Sequence, residues 1–335
     1  MSIAVILPLY NHAKTLPLSV HSVMSQTRQP DQVIIVNDGS TDGGGAVADR
    51  LAAEHPAIRV IHHGKNKGVV AALNTGLNAA ETDYVICSAA DDALLPDLIA
   101  RATTELAKYP EAGLFCSEVA IVNPELDVIG FRPSVLPTFR QRYVDPNEAR
   151  NLLKTTDNWI VGSAAVYKRA HLIDIGGFDE KLGSMCDGLA SRYIAMRYGF
   201  IFSPEVLAIW RVVATSVSHS RANDKSQLDE TIRLANDYIG RHQDYFPKNY
   251  ESLFERRYIF ASERVRLAAY NTQPIKRFAR LARLFLKYAP TSFTPMAMNA
   301  VRLRWLAGRG REVERVLARY MRETASHEPG LEAKS

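Results

Sequence analysis

The chain has 335 residues, 47% apolar and 23% charged, with a net charge of +5. That is enough apolar material for one large domain with an appendage, and it excludes fibrous and disordered classes. Its three cysteines, Cys87, Cys116 and Cys186, lie far apart without CxxC or Cys/His spacing, which argues against a disulfide framework or a zinc site.

The opening MSIAVILPLYNH carries an apolar run, Ile3 to Leu9, that is too short and too quickly interrupted for a signal peptide. No later stretch offers the ~20 apolar residues of a spanning helix, so a cytoplasmic location is expected. Ile3 to Leu9 and Val33 to Val36 read as buried parallel strands. Between them, Leu16 to Gln26 has helical spacing through Leu18, Val20 and Val23, giving a βαβ unit. The pattern repeats: Ala46 to Glu54 is helical, Ile58 to His62 a strand, Gly68 to Ala80 helical, and Tyr84 to Ser88 a strand that ends at Asp91-Asp92. Such alternation predicts an α/β fold with an open, mostly parallel sheet flanked by helices. Ligands bind such sheets beyond the carboxyl ends of the strands, where Asn11, Asp38, Asp91 and Asp92 all fall.

Downstream, a helix after Pro96 that runs to Lys108, a strand around Leu114 to Val122, a Pro-punctuated loop from Asn123 to Pro137 and a helix near Pro146 to Lys154 follow. Trp159 to Tyr167 reads as a further strand. A turn at Gly176-Gly177-Phe178-Asp179 precedes a helix from Asp187 to Tyr198, and Phe200 to Arg211 is extended. Glycines 43 to 45 lack the spacing of a phosphate cradle and read as a flexible helix entrance. The periodicity from Gln227 onward is almost wholly helical, which divides the chain into a body of residues 1–220 and a helical extension of residues 221–335.

Three carboxylate positions carry chemistry in this reading. Asp38, in VNDGSTD after a strand, reads either as an acceptor for a nucleobase N–H or as an Asx turn serving only structure. Asp91 and Asp92 are hard ligands suited to Mg²⁺ or Mn²⁺ bridging to phosphate oxygens; the alternative is a cap for the helix after Pro96. Asp187, at a helix start, reads either as a dipole partner or as a general base for an acceptor hydroxyl.

LPLYN at 7 to 11, VNDGSTD at 36 to 42, NKG at 66 to 68, the Asp91-Asp92 pair, GGFDE at 176 to 180 and Asp187 occur in the order found in family 2 glycosyltransferases. From residue 2 to about 215 the chain resembles that family. The resemblance implies a GT-A fold, a UDP- or GDP-linked sugar donor, a divalent cation and inversion at the anomeric carbon. By position it implies Asp187 as catalytic base and Asp92, with Asp91, at the metal; Asp38 holds the base and Asp91 contacts the ribose. Pro8, Tyr10, Asn11, Lys67 and Arg211 complete the donor site. The acceptor it implies is a glycan or lipid-linked hydroxyl in polysaccharide or glycolipid assembly. The sequence departs from the family pattern at Ala89 and Cys186, where acidic residues are usual, at Leu73, where arginine is usual, and in RVVATS, which lacks a histidine. His219 lies nearby. No QxxRW sequence is present, so single-sugar transfer is expected.

Residues 1–220 carry 19 basic and 23 acidic side chains, residues 221–335 carry 22 and 13, and Arg264 to Arg311 holds eleven basic residues and no acidic one. Within it, Ile275, Phe278, Leu281, Phe285 and Tyr288 form an apolar stripe opposite Lys276, Arg280, Arg283 and Lys287. Such a helix either lies on an anionic membrane, making the protein peripheral on the inner face, or packs on the body or in a homodimer. Few aromatics interleave with these charges, which argues against nucleic acid. Two other functions compete: a sugar nucleotidyltransferase, although LPLYNHAKTLP is no Gly-rich phosphate loop, and a non-catalytic binding protein on a degenerate site, although Asp38, Asp91, Asp92 and Asp187 are all retained.

Overall fold

The computed structural model describes residues 1–124, 127–133, 135–155, 159–212 and 225–268, and position 279; for 225–227, 261 and 264–268 it describes the backbone alone. The amphipathic stripe at 275–288, His219 and the RVVATS segment beyond Val212 therefore lie outside the described residues, position 279 apart.

Strands β1 (Ile3–Leu9), β2 (Gln32–Asn37), β3 (Ile58–His62) and β4 (Tyr84–Cys87) alternate with helices α1 (Leu16–Met24), α2 (Gly44–Glu54) and α3 (Val69–Ala79). β1 pairs in parallel with β2 and β4, and β2 in parallel with β3. Successive residues of β1 face opposite layers: Ala4 and Ile6 join one apolar cluster with Ile34 and Val36, whereas Ile3, Val5 and Leu7 join another with Val33 and Ile35. Burial on both faces is why these strands read as continuous apolar runs.

After β4 come the two-residue strand β5 (Ala93–Leu94), α4 (Leu98–Lys108), β6 (Leu114–Val122), β7 (Val128–Arg132), β8 (Arg142–Val144) and α5 (Pro146–Thr155). β9 (Val166–Lys168), α6 (Arg169–Asp174), α7 (Cys186–Tyr198) and β10 (Phe200–Arg211) complete a ten-stranded sheet in which eight strands follow the order β3-β2-β1-β4-β9-β6-β10-β5, with β7 paired to β6 and β8 to β10 off that path. β6 and β10 are parallel, whereas β9 runs antiparallel between β4 and β6.

Two local expectations are corrected. Trp159 to Tyr167 is not one strand. Ala164 and Ala165 donate their N–H groups back to the Val161 and Gly162 carbonyls (both 3.1 Å), a tight 3₁₀ turn at Gly162–Ala164 that uses locally the bonds a ladder needs. The region after Asn123 is likewise not wholly loop: Asn123 and Asp127 bond to one another through backbone and side chain and fold β7 back on β6.

Helices α8 (Lys225–Arg241) and α9 (Tyr250–Ala268) pack on the body. Ala235, Tyr238, Ile239, Phe246, Tyr250 and Phe254 are buried in the same cluster as Ile6 and Leu189. Arg241 donates to Asp179 (2.8 Å), and Arg257 donates to the Leu153 and Lys154 carbonyls (2.8 and 3.1 Å), capping the end of α5. Among the described residues no helix is long and apolar enough to cross a membrane.

Candidate active site

The site lies along the carboxyl ends of β1, β2 and β4, with the end of β10 and the start of α7 closing it. β1 ends at Pro8-Leu9, level with Asn37 of β2. Beyond it Tyr10 is exposed and Asn11 adopts φ 57°, tying the following loop to that of β2. The Asn11 Oδ1 accepts from the Thr41 N–H (2.8 Å), the Asn11 N–H donates to Ser40 Oγ (3.1 Å), and Asp42 accepts from the N–H groups of Ala13 and Gly44 (2.8 and 2.9 Å). Much of VNDGSTD thus builds the loop itself.

Asp38 is buried and its carboxylate accepts from three internal donors: the His63 ring Nδ1–H (2.7 Å), the Lys67 N–H (2.9 Å) and the Gly68 N–H (2.8 Å). The ring Nε2 of His63 bonds Thr75 Oγ1 on α3 (3.0 Å). Gly39, at φ 72°, permits this closure, because a Cβ there would sit 2.8 Å from the backbone of Lys65 and Asn66. Asp38 is therefore the anchor of the NKG loop, which holds the Lys65 and Lys67 side chains out in solvent. His63 carried no sequence signal, since an isolated histidine gives no spacing to read.

The turn after β4 is fastened to α1, where Ser19 Oγ donates to the Ala89 carbonyl (2.9 Å) and Ser22 Oγ accepts from the Leu94 N–H (3.1 Å). Neither Asp91 nor Asp92 caps α4, whose N-cap position is Asp97. β5 pairs with β10, Ala93 opposite Ile209, and this register brings Arg211 to Asp92: the Arg211 N–H donates to Asp92 Oδ1 (3.1 Å). The Arg211 Nε is buried without a hydrogen bond among the described residues. Burial, with the Asp91 carboxylate beside it, holds Asp92 well above the ordinary carboxylate range, although the Arg211 N–H and charge pull the other way. Two adjacent carboxylates, one of them buried, are oxygen donors that suit a hard divalent cation. Among the described residues no three His, Cys, Asp or Glu side chains gather, so such a cation would draw its other ligands from a bound diphosphate and water, as Mg²⁺ commonly does. Leu73, where the family's arginine was expected, is buried in the core.

Asp187 opens α7. Its Oδ1 accepts from the Gly188 N–H (2.7 Å), and its Oδ2 lies so close to Gly162 that a Cβ on that residue would collide with it. Burial raises the Asp187 carboxyl above its ordinary range, opposed by the Gly188 N–H and the charge of Arg192. Burial, with the Asp187 charge adding to it, pushes up the Cys87 thiol at the end of β4. Cys186, where a second acid was expected, is a buried thiol that burial pushes above its usual range, so Asp187 shares its pocket with no adjacent carboxylate in sequence. Gly162 had no sequence signal.

The glycosyl transferase family 2 model matches residues 4–176, and the chain belongs to that family. It is 28% identical over 167 residues to the cholesterol galactosyltransferase of Borreliella burgdorferi, covering 48% of this chain and 46% of that one. Among solved structures it resembles S. aureus TarS 1–349 in complex with UDP-GlcNAc (TM-score 0.59, 17% identity, 77% of this chain and 72% of that one). It also resembles mannosyltransferase PcManGT from Pyrobaculum calidifontis in complex with GDP-Man and Mn²⁺ (TM-score 0.53, 22% identity, 97% and 86%). These similarities establish the GT-A fold. The chain spans 32% to 46% of the length of its first curated relatives.

Proposed function

We propose that the protein is an inverting glycosyltransferase that moves a sugar from a nucleoside diphosphate to an acceptor hydroxyl. The observation that supports this best is that the fold desolvates one carboxylate, Asp187, at the start of α7 and another, Asp92, in the turn after β4, where ligands bind such a sheet. Asp187 takes the proton of the acceptor hydroxyl as that oxygen bonds to the anomeric carbon. The bond from that carbon to the diphosphate breaks on the opposite face, which inverts the configuration. The raised pKa makes Asp187 a stronger base than a free carboxylate, and the Gly188 N–H fixes its direction.

Asp38 and its loop receive the nucleoside, with Pro8, Tyr10, Asn11 and Lys67 around it and Arg211 toward the diphosphate. Asp91 and Asp92 would hold Mg²⁺ or Mn²⁺, whose charge offsets the one developing on the departing nucleoside diphosphate. The donors named for the neighbours, UDP-GlcNAc and GDP-mannose, and the Mn²⁺ of one of them support this assignment. A glycan or lipid-linked acceptor at the cytoplasmic membrane face, reached through the basic segment 264–311, completes the reading.

Calorimetric titration with UDP, GDP and dTDP, each with and without Mn²⁺, tests it. Metal-dependent binding of one nucleotide that is lost in Asp92→Ala is the expected result. No binding of any nucleotide would turn the assignment toward a non-catalytic protein on this fold.

A further inference from the structure

The GGFDE turn and the helix after NKG are far apart in sequence, yet one side chain joins them. Asn74, in the second turn of α3, donates its amide N–H to the Phe178 carbonyl (2.8 Å) and accepts the Phe178 N–H at its amide oxygen (2.9 Å). Only a side chain with donor and acceptor on one planar group can satisfy both backbone groups of a single residue. Gly177, at φ 79°, lets the turn approach, since a Cβ there would sit 2.7 Å from the Asn74 amide oxygen.

From Phe178 the contacts run inward. Its ring is fully buried and meets Tyr167 edge to face, with centroids 6.3 Å apart. The Tyr167 hydroxyl lies 2.7 Å from Ser191 Oγ, and Ser191 Oγ donates to the Asp187 carbonyl (2.5 Å). Ser191 has one hydroxyl proton, already given to Asp187, so Tyr167 must be the donor to Ser191. Phe178, Tyr167 and Ser191 are buried, Asn74 is half-buried, and each hydrogen bond in the series has its donor assigned.

We infer that Asn74, acting through Phe178, Tyr167 and Ser191, is a positioning residue that fixes the first turn of α7 and thereby the Asp187 carboxylate. The same helix carries Thr75, which bonds His63, and follows directly on Gly68, its N-cap position, whose N–H bonds Asp38. α3 is therefore the common frame for the nucleoside side and the base side of the site. The catalytic consequence rests on the role proposed above for Asp187; the structural consequence does not.

The test is hydrogen exchange on the full chain, followed by mass spectrometry of peptides covering 185–191 and 36–42, in wild type, Asn74→Asp and Asn74→Leu. The Asp variant keeps the acceptor for the Phe178 N–H and loses the donor; the Leu variant loses both. Exchange over 185–191, including the Gly188 amide, should rise in the order wild type, Asp, Leu, by roughly 10-fold or more for Leu, and stay unchanged over 36–42. Ser191→Ala breaks the relay at its inner end and should loosen 185–191 alone, which keeps the inference testable if Asn74→Leu does not fold. Steady-state release of UDP from UDP-GlcNAc, or of GDP from GDP-mannose if that is the nucleotide bound, should show kcat falling by about 10-fold with donor KM unchanged. Wild-type exchange over 185–191 in Asn74→Leu, or donor KM rising as much as kcat falls, would overturn the inference. Turnover by Asp187→Asn would instead remove the role of Asp187 and leave the exchange result to stand by itself.

Discussion

The sharpest perturbation of the site is a single methyl group. At Gly162 the three atoms nearest an added Cβ all belong to the Asp187 side chain, with the carboxylate oxygen inside any real contact distance and Asp187 Cγ at 3.4 Å. Relief requires the carboxylate to retreat by about 1 Å to reach an ordinary separation of ~3.4 Å. A misplacement of about 1 Å costs on the order of 10²-fold in rate, which is ~2.7 kcal/mol of transition-state stabilisation. Because the carboxylate yields by rotating rather than by displacing the core, the midpoint of thermal unfolding should change little. The assay is kcat for nucleotide release in Gly162→Ala beside Asp187→Asn, with nucleotide binding measured by calorimetry. Binding should match wild type in both variants. A wild-type kcat in Gly162→Ala, with Asp187→Asn inactive, would refute the claim that this glycine sets the position of the base.

Asp38→Ala removes the acceptor for three donors at once. The Lys67 N–H can rehydrate, but the buried His63 ring cannot do so readily, so a loss of roughly 2–4 kcal/mol is expected. Differential scanning calorimetry should show Tm lower by about 5–15 °C, with nucleotide binding weakened as the NKG loop comes loose. For Asp187, the folded carboxyl titrates above its unfolded value, so its ionisation costs stability as pH rises through the folded pKa, and the cost vanishes below the unfolded one. Asp187→Asn should therefore melt higher than wild type at pH 8, and the two curves should converge as pH falls toward about 4. The same raised pKa should set the acid limb of the wild-type pH–kcat profile above that of an exposed aspartate.

The parallel half of the sheet was legible because both faces of β1, β2 and β4 are buried, and that leaves uninterrupted apolar runs ending in polar turns. β6, α5, α7 and β10 were legible for related reasons of period and length. β5 was not, because two residues carry no period, and the 3₁₀ turn at Gly162–Ala164 was hidden inside an apolar stretch whose pattern alone reads as strand. Asp38, Asp91, Asp92 and Asp187 could be nominated from sequence because each follows a strand or opens a helix, positions that local pattern fixes.

What those carboxylates touch is another matter. The contact of Asp92 with Arg211 depends on the register between β5 and β10, strands more than a hundred residues apart, and the contact of Asp187 with Gly162 depends on where β9 inserts between β4 and β6. Hydrogen bonds and desolvation are set by neighbours in space. The amino-acid sequence by itself determined which groups stand at the ends of the elements; only the tertiary structure decided which donors, glycines and charges face them, because that depends on the pairing of distant segments, for which a single sequence has no local period.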